Sequence, residues 1–143
     1  MLMLRCLAPL ALVALVLPAK VARAEVAWLH DIQGWFGLEM FEEMACAGNP
    51  VRMRVAEGTD RLELRWRKPV TYADGSVTDA VDFRITGIEG GDVTMIRLRD
   101  GVPALFRFSG DFQSFDYFEG PDLEAAQKAE ILVTFTRCEL QGS

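Results

Sequence analysis

The 143-residue chain is poor in several residue types that carry chemistry. It has one histidine, His30, one asparagine, Asn49, and three lysines against twelve arginines. A single histidine leaves no histidine cluster for catalysis or metal binding, and His30 in its helix-like N-terminal setting fits a solvated or structural role better than general-base chemistry. Asn49 precedes Pro50, which removes the only possible N-glycosylation acceptor. No G-x-S-x-G, P-loop, H-E-x-x-H or C-x-x-C motif occurs, so the sequence calls for no cofactor and an enzyme is the weakest reading. The excess of arginine over lysine is the bias that GC-rich bacterial genomes give.

Long apolar runs are also missing, apart from Leu7–Leu17 near the start, which is too short to span a bilayer. Arg5 precedes that run, Pro18 breaks it, and "AKVARA" ends it with small residues at Ala22 and Ala24. This is the pattern of a secretory signal peptide over residues 1–24, with cleavage expected after Ala24. The alternative is an N-terminal anchor helix. A lipoprotein is disfavoured, because Cys6 precedes the apolar run instead of following it. The mature chain is then residues 25–143, long enough for one domain with one core, with no membrane span left in it. It carries 12 Lys+Arg against 21 Asp+Glu, a balance of −9. So acidic a chain is a poor nucleic-acid binder but meets basic partners readily.

Cysteine is scarce too. Loss of Cys6 leaves Cys46 and Cys138, and two cysteines in an exported chain are most simply one disulfide. With His30 they do not fill a structural zinc shell unless a carboxylate joins them.

What the chain does have is alternation. "VRMRV" from Val51, "RLELRWR" from Arg61 and "VDFRI" from Val81 place apolar and polar side chains on opposite faces, the period of a sheet wet on one side. "VTMIRLR", "ALFRF", "SFDYFE" and "ILVTFTRC" are rich in β-formers. Between them lie Gly58, Asp74-Gly75, Gly90-Gly91, Asp100-Gly101 and Gly110-Asp111, the chemistry of tight hairpins. Short consecutive links predict an antiparallel meander. Eight strands are expected, near 39–46, 51–56, 61–70, 77–88, 92–99, 103–109, 113–119 and 131–138; in the first of these Met40, Phe41 and Met44 are spaced equally well for a helix. Val26–Phe36 is expected to form a short helix or turn that stops at Gly34. Pro121–Glu130 is expected to form a short helix with Pro121 in its first turn.

Cys46 would then end the first strand and Cys138 the last. In an open sheet those are opposite edges, whereas a disulfide needs Cα atoms within about 7 Å. A closed barrel makes them neighbours and removes both edges, so the cysteine pair favours a barrel over an open sheet, with a flattened sandwich as the alternative.

The candidate site residues are aromatic. Trp66, Phe83, Phe106, Phe108 and Phe135, with Met53, would point inward and either line a ligand pocket or fill the core. "FEEM" contains Glu42 and Glu43, which on a strand would face opposite ways and share no site. "RWRK", Arg65–Lys68, is either a solvated outer face or a docking patch for an anionic group.

A short N-terminal helix, Gly34-Trp35 near the first strand, an eight-strand meander, a late helix and a last strand tied back by cysteine together resemble the lipocalin-type (calycin) barrels. "CAGNP" and "TRCE" are similar to stretches of small uncharacterised secreted proteins of Gram-negative bacteria. In the lipocalin pattern one residue separates Gly from Trp, whereas here they adjoin. The resemblance implies a lipocalin-like, all-β periplasmic or secreted binding module holding a small apolar ligand. The alternative is a protein-interaction or inhibitor module, similar to lysozyme inhibitors, that meets a basic protein partner through its outer surface or loops.

Overall fold

The computed structural model describes residues 29–139. The expected signal peptide and the first residues of the N-terminal segment lie outside that range. Eight strands follow one another: β1 (Gly34–Gly37), β2 (Val51–Val55), β3 (Arg61–Thr71), β4 (Val77–Glu89), β5 (Asp92–Arg97), β6 (Pro103–Phe108), β7 (Ser114–Glu119) and β8 (Val133–Arg137). Each pairs antiparallel with its neighbour, and β8 pairs with β1 to close the barrel. The expected all-β meander barrel is thus the fold. The hairpins turn where the sequence places Gly58, Gly75, Gly90 and Gly101, all at positive φ. At Gly110-Asp111 the positive φ falls instead on Phe112.

The first strand is the main correction. Residues 39–46 form no strand. They are a loop containing a 3-10 turn, Glu42–Met44, so Cys46 follows that turn and does not end a strand. The strand lies earlier, at Gly34–Gly37, with two residues between it and helical residues 29–31. Gly34 starts this strand because it must come close to β8. Its φ is +141, and a Cβ there would lie 2.5 Å from Arg137 Nη1. The late helix, α1 (Leu123–Lys128), begins two residues later than expected and ends two residues earlier. Asp122 caps it by accepting a hydrogen bond from the Ala125 amide, so Pro121, expected at the first helical position, lies just before the cap.

Ladder pairing fixes which side chains enter the barrel. Val51 lies opposite Trp66, Leu62 opposite Phe83, Val93 opposite Phe106, and Phe115 opposite Phe135. Of the expected inward set, Leu62, Leu64, Trp66 and Phe83 are buried. Ile85 is half-buried, next to the register shift between Ile85 and Gly87. On the outer face Arg61 and Arg84 are exposed, whereas Glu63 and Arg65 are half-buried. Asp82 gathers these outer charges, accepting from Arg61 and, at 2.6 Å, from Arg65.

Strand direction gives the barrel two ends. At one end Arg137 points inward and donates to the carbonyls of Phe112, Gln33 and Asp31 at 2.8–2.9 Å. With Ile32, Phe36 and Phe115, all at most 1% exposed, it plugs that end. The β3–β4 and β5–β6 turns stand at the other end, joined by an Arg99–Asp74 ion pair and an Arg99–Ser76 hydrogen bond of 2.8 Å.

Cys46 and Cys138 form a disulfide, with Cα atoms 5.4 Å apart. It binds the β1–β2 loop against the closing seam, where β1 and β8 share only two residue pairs. Gly37 makes this possible, since a Cβ there would lie 2.5 Å from the Cys46 amide nitrogen and 2.9 Å from its sulfur.

Candidate functional site

The open end leads into a cavity of about 660 Å³. Its lower walls are apolar: Leu64 and Trp66 from β3, Val81 and Phe83 from β4, Phe106 from β6 and Phe135 from β8. Four of the six aromatic and methionine positions picked out by alternation, Trp66, Phe83, Phe106 and Phe135, therefore line one space. Met53 and Phe108 do not. Both lie in the packed core, about as buried as the lining residues Phe83, Phe106 and Phe135, and the Phe108 ring is tilted against Phe115 at 5.0 Å between ring centroids. Phe106 is the hinge between the two regions. Its ring contacts Phe115 on the core side at 4.6 Å and Tyr117 on the cavity side at 5.5 Å.

The upper walls are polar, and these residues were not picked out from the sequence. Tyr117 and Glu119 continue the inward face of β7, and Arg97 continues that of β5. Arg97 grips Asp100 through Nε and Nη2, both at 2.9 Å, while Nη1 donates to Tyr117 Oη and Glu119 Oε2, both at 3.0 Å. The Asp100 hydrogen bonds push the Arg97 pKa up, so the guanidinium is permanently charged. Burial, reinforced by the nearby Glu119 charge, pushes the Tyr117 hydroxyl well above its ordinary value, and it stays neutral. Above them Trp66 donates its indole N–H to Tyr72 Oη at 3.1 Å, and the Arg99 guanidinium covers the Tyr72 ring at 5.6 Å. Burial also raises the Tyr72 pKa, against the opposing effects of Trp66 and Arg99.

A signal for the polar rim does exist in the sequence. In "VTMIR" the inward set Val93 and Met95 runs on to Arg97, and in "SFDYFE" the set Phe115 and Tyr117 runs on to Glu119. Polar residues at the last inward position of a strand mark the mouth of a barrel, where side chains pass from core to water.

The outer face holds the "RWRK" basic residues. Arg67 stacks over Trp35 at 5.3 Å, and Arg65 pairs with Asp82. Trp35, Arg52, Arg54, Glu63 and Arg65, with Trp66, border a second, shallower hollow of about 440 Å³. In the Gly34-Trp35 element, Trp35 points outward and Phe36, two residues after Gly34, points inward. His30 is exposed, and no cluster of metal-ligating side chains occurs among the described residues. Glu42 and Glu43 are both exposed on the β1–β2 loop, away from any strand face.

No protein-family model matches the chain, and neither a curated protein nor a solved structure matches it. Among the described residues no helix is long and apolar enough to cross a membrane.

Proposed function

We propose that the chain is an exported binding module that holds a small apolar molecule inside a lipocalin-like barrel. The observation that carries this reading is the open-ended cavity of about 660 Å³, walled by aromatic and branched apolar side chains. That size lies within the range of sites for small organic ligands, and a few polar groups placed around an apolar body are what such sites need. The disulfide suits an oxidising compartment, in keeping with the signal-like residues 1–24. The test is uptake of the neutral apolar fluorophore N-phenyl-1-naphthylamine. Saturable binding with a blue-shifted emission is expected, and Val81→Phe, which fills the lower cavity, should abolish it while leaving the melting transition in place. Absence of saturable uptake by the unmodified protein would defeat the reading.

One observation favours a second reading, an interaction module for a basic protein partner. The β1–β2 loop exposes Met40 and Phe41, at 71% and 49%, between Glu39, Glu42 and Glu43. The disulfide holds this loop at its Cys46 end. An apolar tip ringed by carboxylates matches a basic partner, as a lysozyme-inhibitor-like module would require. Loss of binding to a basic target in Phe41→Ser, with N-phenyl-1-naphthylamine uptake intact, would assign partner binding to this loop.

A further inference from the structure

We infer that the cavity is built for an apolar molecule with a cationic or hydrogen-bond-donating head, such as an aryl-alkyl amine, and against one with a carboxylate head. This rests on the reading of the barrel as a binding module and adds the chemistry of what it holds.

The inference starts from the hydrogen-bond capacity left over at the polar rim. A guanidinium has five N–H donors. Arg97 commits four of them, one from Nε and one from Nη2 to Asp100 and two from Nη1 to Tyr117 and Glu119. With one N–H left it is a poor receptor for an incoming carboxylate, which could be held by two hydrogen bonds only by displacing Asp100 or Glu119. The spare capacity is of the opposite kind. Glu119 uses Oε2 for Arg97 and Tyr117, while its Oε1 accepts no hydrogen bond from the described residues. Its side chain is 31% exposed, so the free oxygen can be reached from the mouth.

Charge agrees with this. Arg97 contributes one positive charge to the cluster, and Asp100 and Glu119 contribute two negative ones. Arg99 and Asp74 cancel each other above, as do Arg61 and Asp82, which also line the cavity. The head of a bound ligand thus meets a net negative rim.

The walls supply the third element. Trp66, Phe83 and Phe106 present aromatic surface just below the rim, where Phe83 and Phe106 pack against the Tyr117 ring. A cation on an apolar stem gains from such faces once water is removed, whereas an anion does not. Ala104 faces Glu119 across the ladder and is fully buried, so no bulky side chain on β6 intervenes where Arg97 reaches Glu119.

Three probes with one body and different heads test the inference: 4-phenylbutylamine, 4-phenylbutanol and 4-phenylbutyrate, titrated calorimetrically at physiological ionic strength. The amine should bind about tenfold tighter than the carboxylate, with the alcohol between them. In Glu119→Gln the ratio of amine to alcohol affinity should fall to near one. Asp116→Asn removes an equal charge from the outer face and should keep the wild-type ratio, which separates the site from the general acidity of the chain. If Glu119→Gln does not fold, the order of the three probes on the unmodified protein still decides. A carboxylate that binds as well as the amine would overturn the head-group inference and leave the apolar cavity reading in place. Failure of all three probes to bind would overturn both.

Discussion

Phe36 and Arg137 face each other across the seam that closes the barrel. They are ladder partners in β1 and β8, and the guanidinium lies 4.7 Å from the centre of the Phe36 ring. The same guanidinium ties down three carbonyls from two separate segments, so one side chain plugs the end and joins the first strand to the last. Burial lowers its pKa, partly offset by Asp31, but an arginine remains charged throughout the useful pH range. Arg137→Lys keeps the charge and loses the planar fork. A loss of about 2 kcal/mol in unfolding free energy is expected, because at least one buried carbonyl goes without its donor. Urea unfolding followed by fluorescence checks it.

Gly34 lies beside that fork. Gly34→Ala adds a Cβ at a positive φ and against Arg137 Nη1. The expected cost is about 1–3 kcal/mol. By contrast Gly58→Ala has open space around it and should cost only its backbone strain, a difference visible in paired thermal melts.

Asn49 completes the barrel where β2 begins. Its amide donates to Lys68 O at 2.9 Å and its carbonyl accepts from Lys68 N at 2.7 Å, so the side chain extends the ladder by one rung. Asn49→Asp replaces the donor by a second acceptor facing a carbonyl. Chemical unfolding should show a loss of about 1–3 kcal/mol, while Arg84→Gln on the open outer face should show almost none.

Asp82 gives the barrel an acid limit. Burial raises its pKa, but hydrogen bonds from Arg65 and Arg61 win and hold it below the ordinary carboxylate value. A depressed folded pKa adds stability that is full above the unfolded value of about 3.9 and is lost as pH falls through the folded one. The melting temperature of the wild type should therefore exceed that of Asp82→Asn at neutral pH, and the gap should close in strong acid. A gap that widens on acidification would show that the folded state raises the Asp82 pKa instead of lowering it.

Most of the fold was legible because it depends on alternation and turn chemistry, both local. Strands β2 to β8 lie within about two residues of where period two and the Gly-containing turns put them. The cysteine pair also signals closure, although Cys46 reaches back from a loop over the seam instead of ending a strand. The first strand was misread because Gly34 looks like a helix stop. Its real constraint, the approach of Arg137, comes from a residue more than a hundred positions away and leaves no local trace. The cavity was half legible for a related reason. Alternation shows which residues point inward, but not how deep each lies, so Met53 and Phe108 could not be told from Phe83 and Phe106. Arg97, Tyr117 and Glu119 were overlooked because a search for apolar inward positions passes over polar ones at strand ends.

Reduction of the disulfide tests how far the barrel depends on it. A bridge over 92 positions removes about 4–5 kcal/mol of unfolded-chain entropy on the loop-closure model. Cys46→Ala/Cys138→Ala should melt at a markedly lower temperature yet keep the far-ultraviolet spectrum of the barrel, since the aromatic core is separate from the bridge. A variant with no cooperative transition at all would show that closure depends on the disulfide alone.

The claim that the barrel interior receives an apolar ligand is decided by where such a ligand sits. With methyl groups of Leu64 and Val81 isotopically labelled, 4-phenylbutanol should give intermolecular nuclear Overhauser effects to both, and none to the exposed Val77 methyls outside the cavity. Contacts confined to Val77, Leu132 and other exposed methyls would contradict the claim and move any binding to the outside of the barrel.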